Sequence, residues 1–337
     1  MEILEVDGSY GSGGGQILRT AVGLAALTGN AIKIYNIRQK RENPGIQEQH
    51  LQAVNAVAQL CQAELKGAFK GSKELEFYPS KLQEGKLDVK ISTAGSIGLV
   101  LQALMIPAYQ LNLDVNIQGG ATYGKWAPPI EYTNNVLKYF LSKIGYKFNI
   151  SIERDGFYPK GGAAARIKIS KASKLEKLIA IEKGKLETIK GISVASLHLK
   201  NAKVAERQAE KAKQILYDYF KVRPEISAKY VDTYSAGSGI TIWAECKNTV
   251  VGADALGERG KSSEKVGEEA AEKLIKEYKA GTVDRHATDQ LLPYLALAGG
   301  KILTSEITDH AKTNIWLIEQ FLPVKFKVKG NLIEVEK

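Results

Sequence analysis

Residues 6–28 read VDGSYGSGGGQILRTAVGLAALT, and the reading of the whole chain turns on this stretch. A strand ending at Val6 runs into a loop with glycine at 8, 11, 13, 14 and 15, and an apolar helix follows at once. Glycine tolerates positive φ and, lacking Cβ, lets backbone N–H groups approach an anion at the start of a helix. The loop is not a Walker A sequence, because no Lys-Ser/Thr pair follows the glycines, and it fits GxGxxG spacing poorly. A tight turn that packs strand against helix explains the same glycines. Arg19 lies one helical turn further on, and Arg38 and Arg41 follow the next strand. Guanidinium groups can grip phosphate oxygens with two parallel bonds, so Arg19 and Arg38 suit a triphosphate site.

The same arrangement recurs. LDVKIS leads into TAGSIG and the apolar run LVLQALMIPAYQ, and KILTSEIT leads into DHAKTN and IWLIEQFL. Between them lie two further helical patterns, QEQHLQAVNAVAQLC and EYTNNVLKYFLSKIG, and strand-like runs such as LEFYPS, LDVNIQGG and ARIKIS. The expected fold is α+β, with three or more related units, each a sheet with helices on one face. Composition changes near Gly184, where a strand, a basic helix, more strands and the helix SSEKVGEEAAEKLIKEYKAG follow in turn. The expected organisation is a large domain begun by residues 1–183, a small α/β domain inserted over 184–279, and completion of the large domain by 280–337.

Of the 337 residues, 44% are hydrophobic and 25% charged, as in ordinary globular chains. The most apolar run, Ile97 to Tyr109, is interrupted by Gln102 and reads as a buried helix, not a membrane span. The acidic, strand-like beginning lacks the pattern of a secretory signal, and Cys61 and Cys246 fit no metal or redox spacing. These features lead us to expect a cytoplasmic protein. A net charge of +10 favours a polyanionic partner. The segment 198–223 holds seven Lys/Arg against three acidic residues, which a solvated helix face also explains.

Of the four histidines, His286 in VDRHATDQLL and His310 in TDHAKTNIWL both open helices. There the helix dipole disfavours the imidazolium and leaves a neutral nucleophile. Asp309 could cap the second helix, and Asp284 or Thr282 the first. His50 falls inside a helix and His198 in an alternating strand, and the four are too dispersed for a metal site of the HExxH kind. The residues alone leave His286 and His310 as equal candidates, with helix capping as the plain alternative for both.

DGSYGSGGGQILRT, IRQKRENPGIQEQHL, TAGSIGLVLQ, WAPPIEY, DGFYPKGGA, ERGKSSEKVG, HATDQLLPYLALAG and HAKTNIWLIEQF, in this order, resemble the RNA 3′-terminal phosphate cyclases from Asp7 to about Pro323. The resemblance implies a ligase that uses ATP to turn an RNA 3′-terminal phosphate into a 2′,3′-cyclic phosphate, with His310 as the carrier of a covalent AMP. It further implies ATP contacts at His286, Ala287, Thr288, Asp289, Gln290 and Gln102. Pro128 and Tyr132 would pack against the adenine, and Arg19, Arg38 and Gln49 would line the triphosphate or substrate site. Gly11, Ser12, Gly13, Gly14, Gly15 and Gln16 would form the phosphate loop. The family usually places glutamate, linked to a divalent metal (Mg or Mn), where this chain has Ser12, so the resemblance implies a metal held more by phosphates and water. The fold also serves a non-catalytic relative in ribosome assembly that lacks the nucleophilic histidine, and enolpyruvyl transferases use similar units. His310 and the basic balance favour the RNA enzyme, and Ser12 alone points to the non-catalytic relative.

Overall fold

Strands in which every second side chain is apolar can bury only one face, and the chain solves this by repeating one unit. The computed structural model describes residues 3–336. In the first unit, β1 (Leu4–Asp7), α1 (Gly15–Thr28), β2 (Ile32–Tyr35), α2 (Glu48–Cys61), β3 (Glu64–Lys66) and β4 (Leu75–Tyr78) make a sheet of order β1-β2-β4-β3. The second comprises β5 (Gly85–Ser96), α3 (Ile97–Ala108), β6 (Leu113–Ala121), α4 (Ile130–Tyr132), a π-helical stretch over Thr133–Leu137, α5 (Lys138–Lys143), β7 (Lys147–Arg154) and β8 (Ala164–Ser170). Its sheet order, β5-β6-β8-β7, is the same.

The third unit opens with β9 (Leu178–Ala180) and is then interrupted by β10 (Leu186–Ser196), α6 (Val204–Phe220), β11 (Glu225–Val231), β12 (Ser238–Cys246), β13 (Val250–Leu256) and α7 (Ser263–Ala280). It resumes with α8 (Arg285–Ala298), β14 (Gly300–Leu303), α9 (Asp309–Phe321), β15 (Phe326–Lys329) and β16 (Leu332–Val335), in the order β9-β14-β16-β15. In all three sheets the first pair is parallel and the others antiparallel. At least one helix lies between the two parallel strands in each, as a parallel pair requires, and a hairpin closes the set.

Side chains from all three units meet in one continuous core: Leu24 on α1, Val57 on α2, Leu104 on α3, Leu291 on α8 and Leu317 on α9. The intervening sheet β11-β10-β12-β13 packs α6 and α7 over a core of its own that includes Ile189, Leu216, Ile242 and Leu274. Among the described residues, no helix is long and apolar enough to cross a membrane.

Three local expectations are corrected. TAGSIG is no small-residue turn: β5 stays extended to Ser96, with a register irregularity after Ile91. The cause lies on β6, where Gly119 and Gly120, both at positive φ, come so close that any Cβ there would strike the carbonyls of Ile91 and Gly95. His198 leaves its strand for a 3-10 turn over Leu197–Leu199, exposed beyond the end of β10. Asp309 is the first helical residue of α9, and Thr308 caps it.

The units join where α1 crosses α3. A Cβ on Gly23 would lie 2.7 Å from the carbonyl oxygen of Ala103 and 3.0 Å from Cδ1 of Ile106. Gly23→Val is therefore expected to destabilise the fold by about 1–3 kcal/mol, the usual cost of overpacking. A lowered urea midpoint with an unchanged slope would report it; a midpoint equal to wild type would contradict close packing here.

Candidate active site

The glycine loop is clamped from two sides. Tyr10 stacks on Trp316 of α9, with ring centroids 3.8 Å apart, and a Cβ on Gly11 would lie 2.4 Å from Oγ1 of Thr313 on the same helix. On the other side, a Cβ on Gly15 would fall 2.0 Å from Nε2 of His50, so only glycine fits there. Gly11 and Gly13 are left-handed, at φ +53° and +54°. α1 then starts with no side-chain cap on Gly14, which leaves its first N–H groups open.

Gln16, in the first turn of α1, reaches the first turn of α9. Its Nε2 donates to the carbonyl of His310 at 3.0 Å, and its Oε1 lies in close contact with Nδ1 of the His310 ring. Because the amide nitrogen is spent on the carbonyl, the amide oxygen faces Nδ1, and the ring must supply the proton. This fixes the Nδ1–H tautomer and leaves the lone pair of Nε2 free. Burial, then the charges of Arg19 and Arg41, lower the His310 pKa below the usual value of 6.5.

α9 is held in turn by α8 and α1. Thr308 accepts from the Ala311 N–H at 2.8 Å and donates to the Asp289 carboxylate at 2.7 Å. Asn314 donates to the Asp289 carbonyl at 2.8 Å and accepts from Thr20 at 3.2 Å. Burial pushes the Asp289 carboxyl up to about 7.

Asp284 settles the capping of α8. One carboxylate oxygen accepts from the N–H groups of His286 and Ala287, each at 3.0 Å, and from the Tyr132 hydroxyl; the other accepts from Gly252 N–H at 3.0 Å. Thr282, the other candidate, donates instead to the Ala180 and Leu303 carbonyls. Burial lowers the His286 pKa, partly offset by Asp254.

His310 and His286 line one cavity of about 700 Å³, together with Gln16, Arg19, Gln102, Pro128, Asp289 and Gln290. Arg19 is one of the cations that line it. Its Nη2 donates to Gln102 at 3.4 Å, while its Nε is buried without a partner. Burial lowers its pKa to about 10. An unsatisfied buried N–H costs about 1–3 kcal/mol, more when charged, and a phosphate oxygen would relieve it.

Other expected residues stand elsewhere. Arg38 does not line the cavity: at φ +55°, its Nη1 donates to the carbonyls of Asn43 and Gly45 and holds its own loop. Gln49 lies outside, against His50 and Gly95. Ala287 and Thr288 are fully buried, and Thr288 bonds Thr304. Tyr132 is 0% exposed and bonded to Asp284, so its ring offers no face to a base; it stands edge-on to His286, with centroids 6.3 Å apart. The planar side chain on that wall is His286. In the loop, a Cβ on Gly14 would lie 3.9 Å from Cε1 of His310 and 3.1 Å from Nη2 of Arg41, which the sequence placed only near the next strand. The far rim comes from the intervening segment, through Asp254, Glu258, Lys261, Glu269 and Lys273. Of these, Glu258 and Lys261 stand in ERGKSSEKVG, while no sequence feature gave Asp254, Glu269 or Lys273 a place in the site.

The described residues bring together too few ligands to hold a divalent metal by themselves. Among the described residues, no three His, Cys, Asp or Glu side chains are grouped to hold one, and Ser12 offers a single neutral, buried, unpartnered hydroxyl. One such oxygen is far short of a hard cation's preferred shell.

Nitrogen-15 NMR of the neutral protein is expected to show His310 as the Nδ1–H tautomer, with its titration below 6.5. Gln16→Leu should release the tautomer, and Arg41→Gln should move the titration upward. A dominant Nε2–H form in the wild type would contradict the clamp.

The family model for RNA 3′-terminal phosphate cyclase matches residues 10–328. The RNA 3′-terminal phosphate cyclase of Methanopyrus kandleri is 43% identical over 98% of this chain and 96% of its own length. That of Thermococcus kodakarensis is 44% identical, with the same coverage of both chains. That of Methanosarcina barkeri is 43% identical over 99% of each.

Proposed function

The chain belongs to the RNA 3′-terminal phosphate cyclase family, and we propose that it uses ATP to convert an RNA 3′-phosphate end to a 2′,3′-cyclic phosphate. The observation that carries this reading is the Gln16–His310 clamp, which leaves Nε2 of His310 free in a cavity shared with Arg19. Nε2 attacks the α-phosphorus of ATP, a phosphorus–nitrogen bond forms, and pyrophosphate leaves. The RNA 3′-phosphate then attacks that phosphorus, displaces the histidine and becomes an adenylate. Last, the neighbouring 2′-hydroxyl, losing its proton, attacks the RNA phosphorus and expels AMP.

Each step has a physical reason. A phosphate monoester dianion is a poor electrophile, and adenylation supplies a leaving group. Ring closure is intramolecular, so it gains from proximity. The need for a 2′-hydroxyl selects RNA. The partner-short Arg19 is suited to charge that develops on phosphate oxygens, and Gln102 orients it. Pro128 and His286 suit the flanking of the adenine, with Tyr132 bracing His286 from behind, and Asp289 and Gln290 extend the same wall. Magnesium or manganese would arrive on the phosphates of ATP, and no step here runs through it.

With ATP labelled at the α-phosphate, a denaturing gel should show an acid-labile labelled band in the wild type and none in His310→Ala. His286→Ala should weaken ATP use but keep the acceptor. Label retained in His310→Ala and lost in His286→Ala would reverse the roles. Absence of label from the wild type and from Ser12→Glu alike would favour a non-catalytic member of the family.

A further inference from the structure

The tryptophan at the cavity rim has no structural reason for its position. Trp126 is 90% exposed, at φ +63°, in a tight turn closed by a bridge between Gly124 and Ala127. For a bulky residue the left-handed region is a true outlier, and such outliers concentrate at functional sites. Two unfavourable features coincide here: a backbone suited to glycine, and a large apolar side chain left in water. The turn has one side-chain contact to a neighbouring segment. Lys125 bonds Glu258, just past β13, at 3.0 Å, which ties the turn to the intervening segment across the cavity mouth. Trp126 lines the same cavity as His310.

We propose that Trp126 is a stacking platform for a base of the RNA whose 3′ end enters the cavity. This rests on the function proposed above and adds the group that holds the polymer. An open aromatic face accepts any base, because every base presents a π-face. The choice of RNA over ATP follows from size and exposure. The cavity, about 700 Å³, lies in the range of roughly 300–1,000 Å³ that encloses small molecules. A polynucleotide cannot be enclosed, so its remaining bases must meet the protein at the rim. Pro128 and His286 are half-buried in the wall, whereas Trp126 stands almost wholly in solvent.

The test uses protein already charged with AMP and follows AMP transfer to a 3′-phosphorylated oligoribonucleotide. In Trp126→Ala, the RNA concentration for half-maximal transfer should rise roughly 5- to 150-fold, the loss of one base–aromatic stack. Trp126→Phe should stay close to wild type, and the ATP needed for charging should be unchanged in both. Trp126→Gly should show the RNA defect while melting no lower than wild type, since glycine relieves the left-handed backbone. An unchanged RNA requirement in Trp126→Ala would overturn the proposal, and so would a raised ATP requirement without an RNA effect, which would give the platform to the nucleotide. Equilibrium binding of the same oligonucleotide to uncharged protein separates the two readings. If ATP never labels the protein but Trp126→Ala still loses RNA binding, the catalytic reading fails and the platform stands. If labelling is normal and both RNA measurements match wild type, the platform alone fails.

Discussion

The site depends on two contacts made by one amide. Gln16 stands in the first turn of α1 and His310 in the first turn of α9, 294 residues apart in sequence. A carboxamide has distinct donor and acceptor ends, so bonding the His310 carbonyl with one end leaves only the other for the ring. The imidazole is thereby fixed in orientation and in tautomer by a neutral group, which adds no charge that would favour protonation. Thr308, Asp289, Asn314 and Thr20 then fix the helix that carries the histidine. An amide that tied only the ring would leave α9 free to shift; one that tied only the backbone would leave the ring free to turn.

The repeat explains why such groups meet. In each unit the first helix follows the first strand, so α1, α3 and α8 are equivalent elements, and each gives the cavity polar groups: Gln16 and Arg19, Gln102, and His286, Asp289 and Gln290. The intervening segment closes the far side with charged groups and shares Asp284 through Gly252. Asp284 thus links that segment, Tyr132 and the start of α8. Burial raises its pKa to about 6, and the bonds from Tyr132, Ala287 and Gly252 act against that rise.

What the sequence disclosed and what it hid follow a physical pattern. The strand–turn–helix rhythm is local, so the α+β class and its repeated units were readable, as were two histidines at helix starts, whereas the choice between Asp284 and Thr282 as a cap was not. Which way a side chain turns is decided by distant partners or by local backbone geometry, neither of which the letters display. Tyr132 sits in a motif that suggests an open aromatic face, yet a buried carboxylate 152 residues away claims its hydroxyl. Arg38 follows a strand like a phosphate ligand, but a left-handed backbone turns it onto its own loop. TAGSIG has turn composition and is held extended by the close approach of β6. Trp126 was quoted only as part of WAPPIEY, because exposure and a left-handed backbone are invisible in a string of letters.

The most direct measurement of the central claim is the identity of the nitrogen that carries AMP. Phosphorus–nitrogen coupling in protein labelled with nitrogen-15 histidine and charged from ATP would assign it. The Gln16 clamp predicts the adduct on Nε2 of His310, with Nδ1 still protonated toward Gln16. An adduct on Nδ1, or on another histidine, would contradict the account.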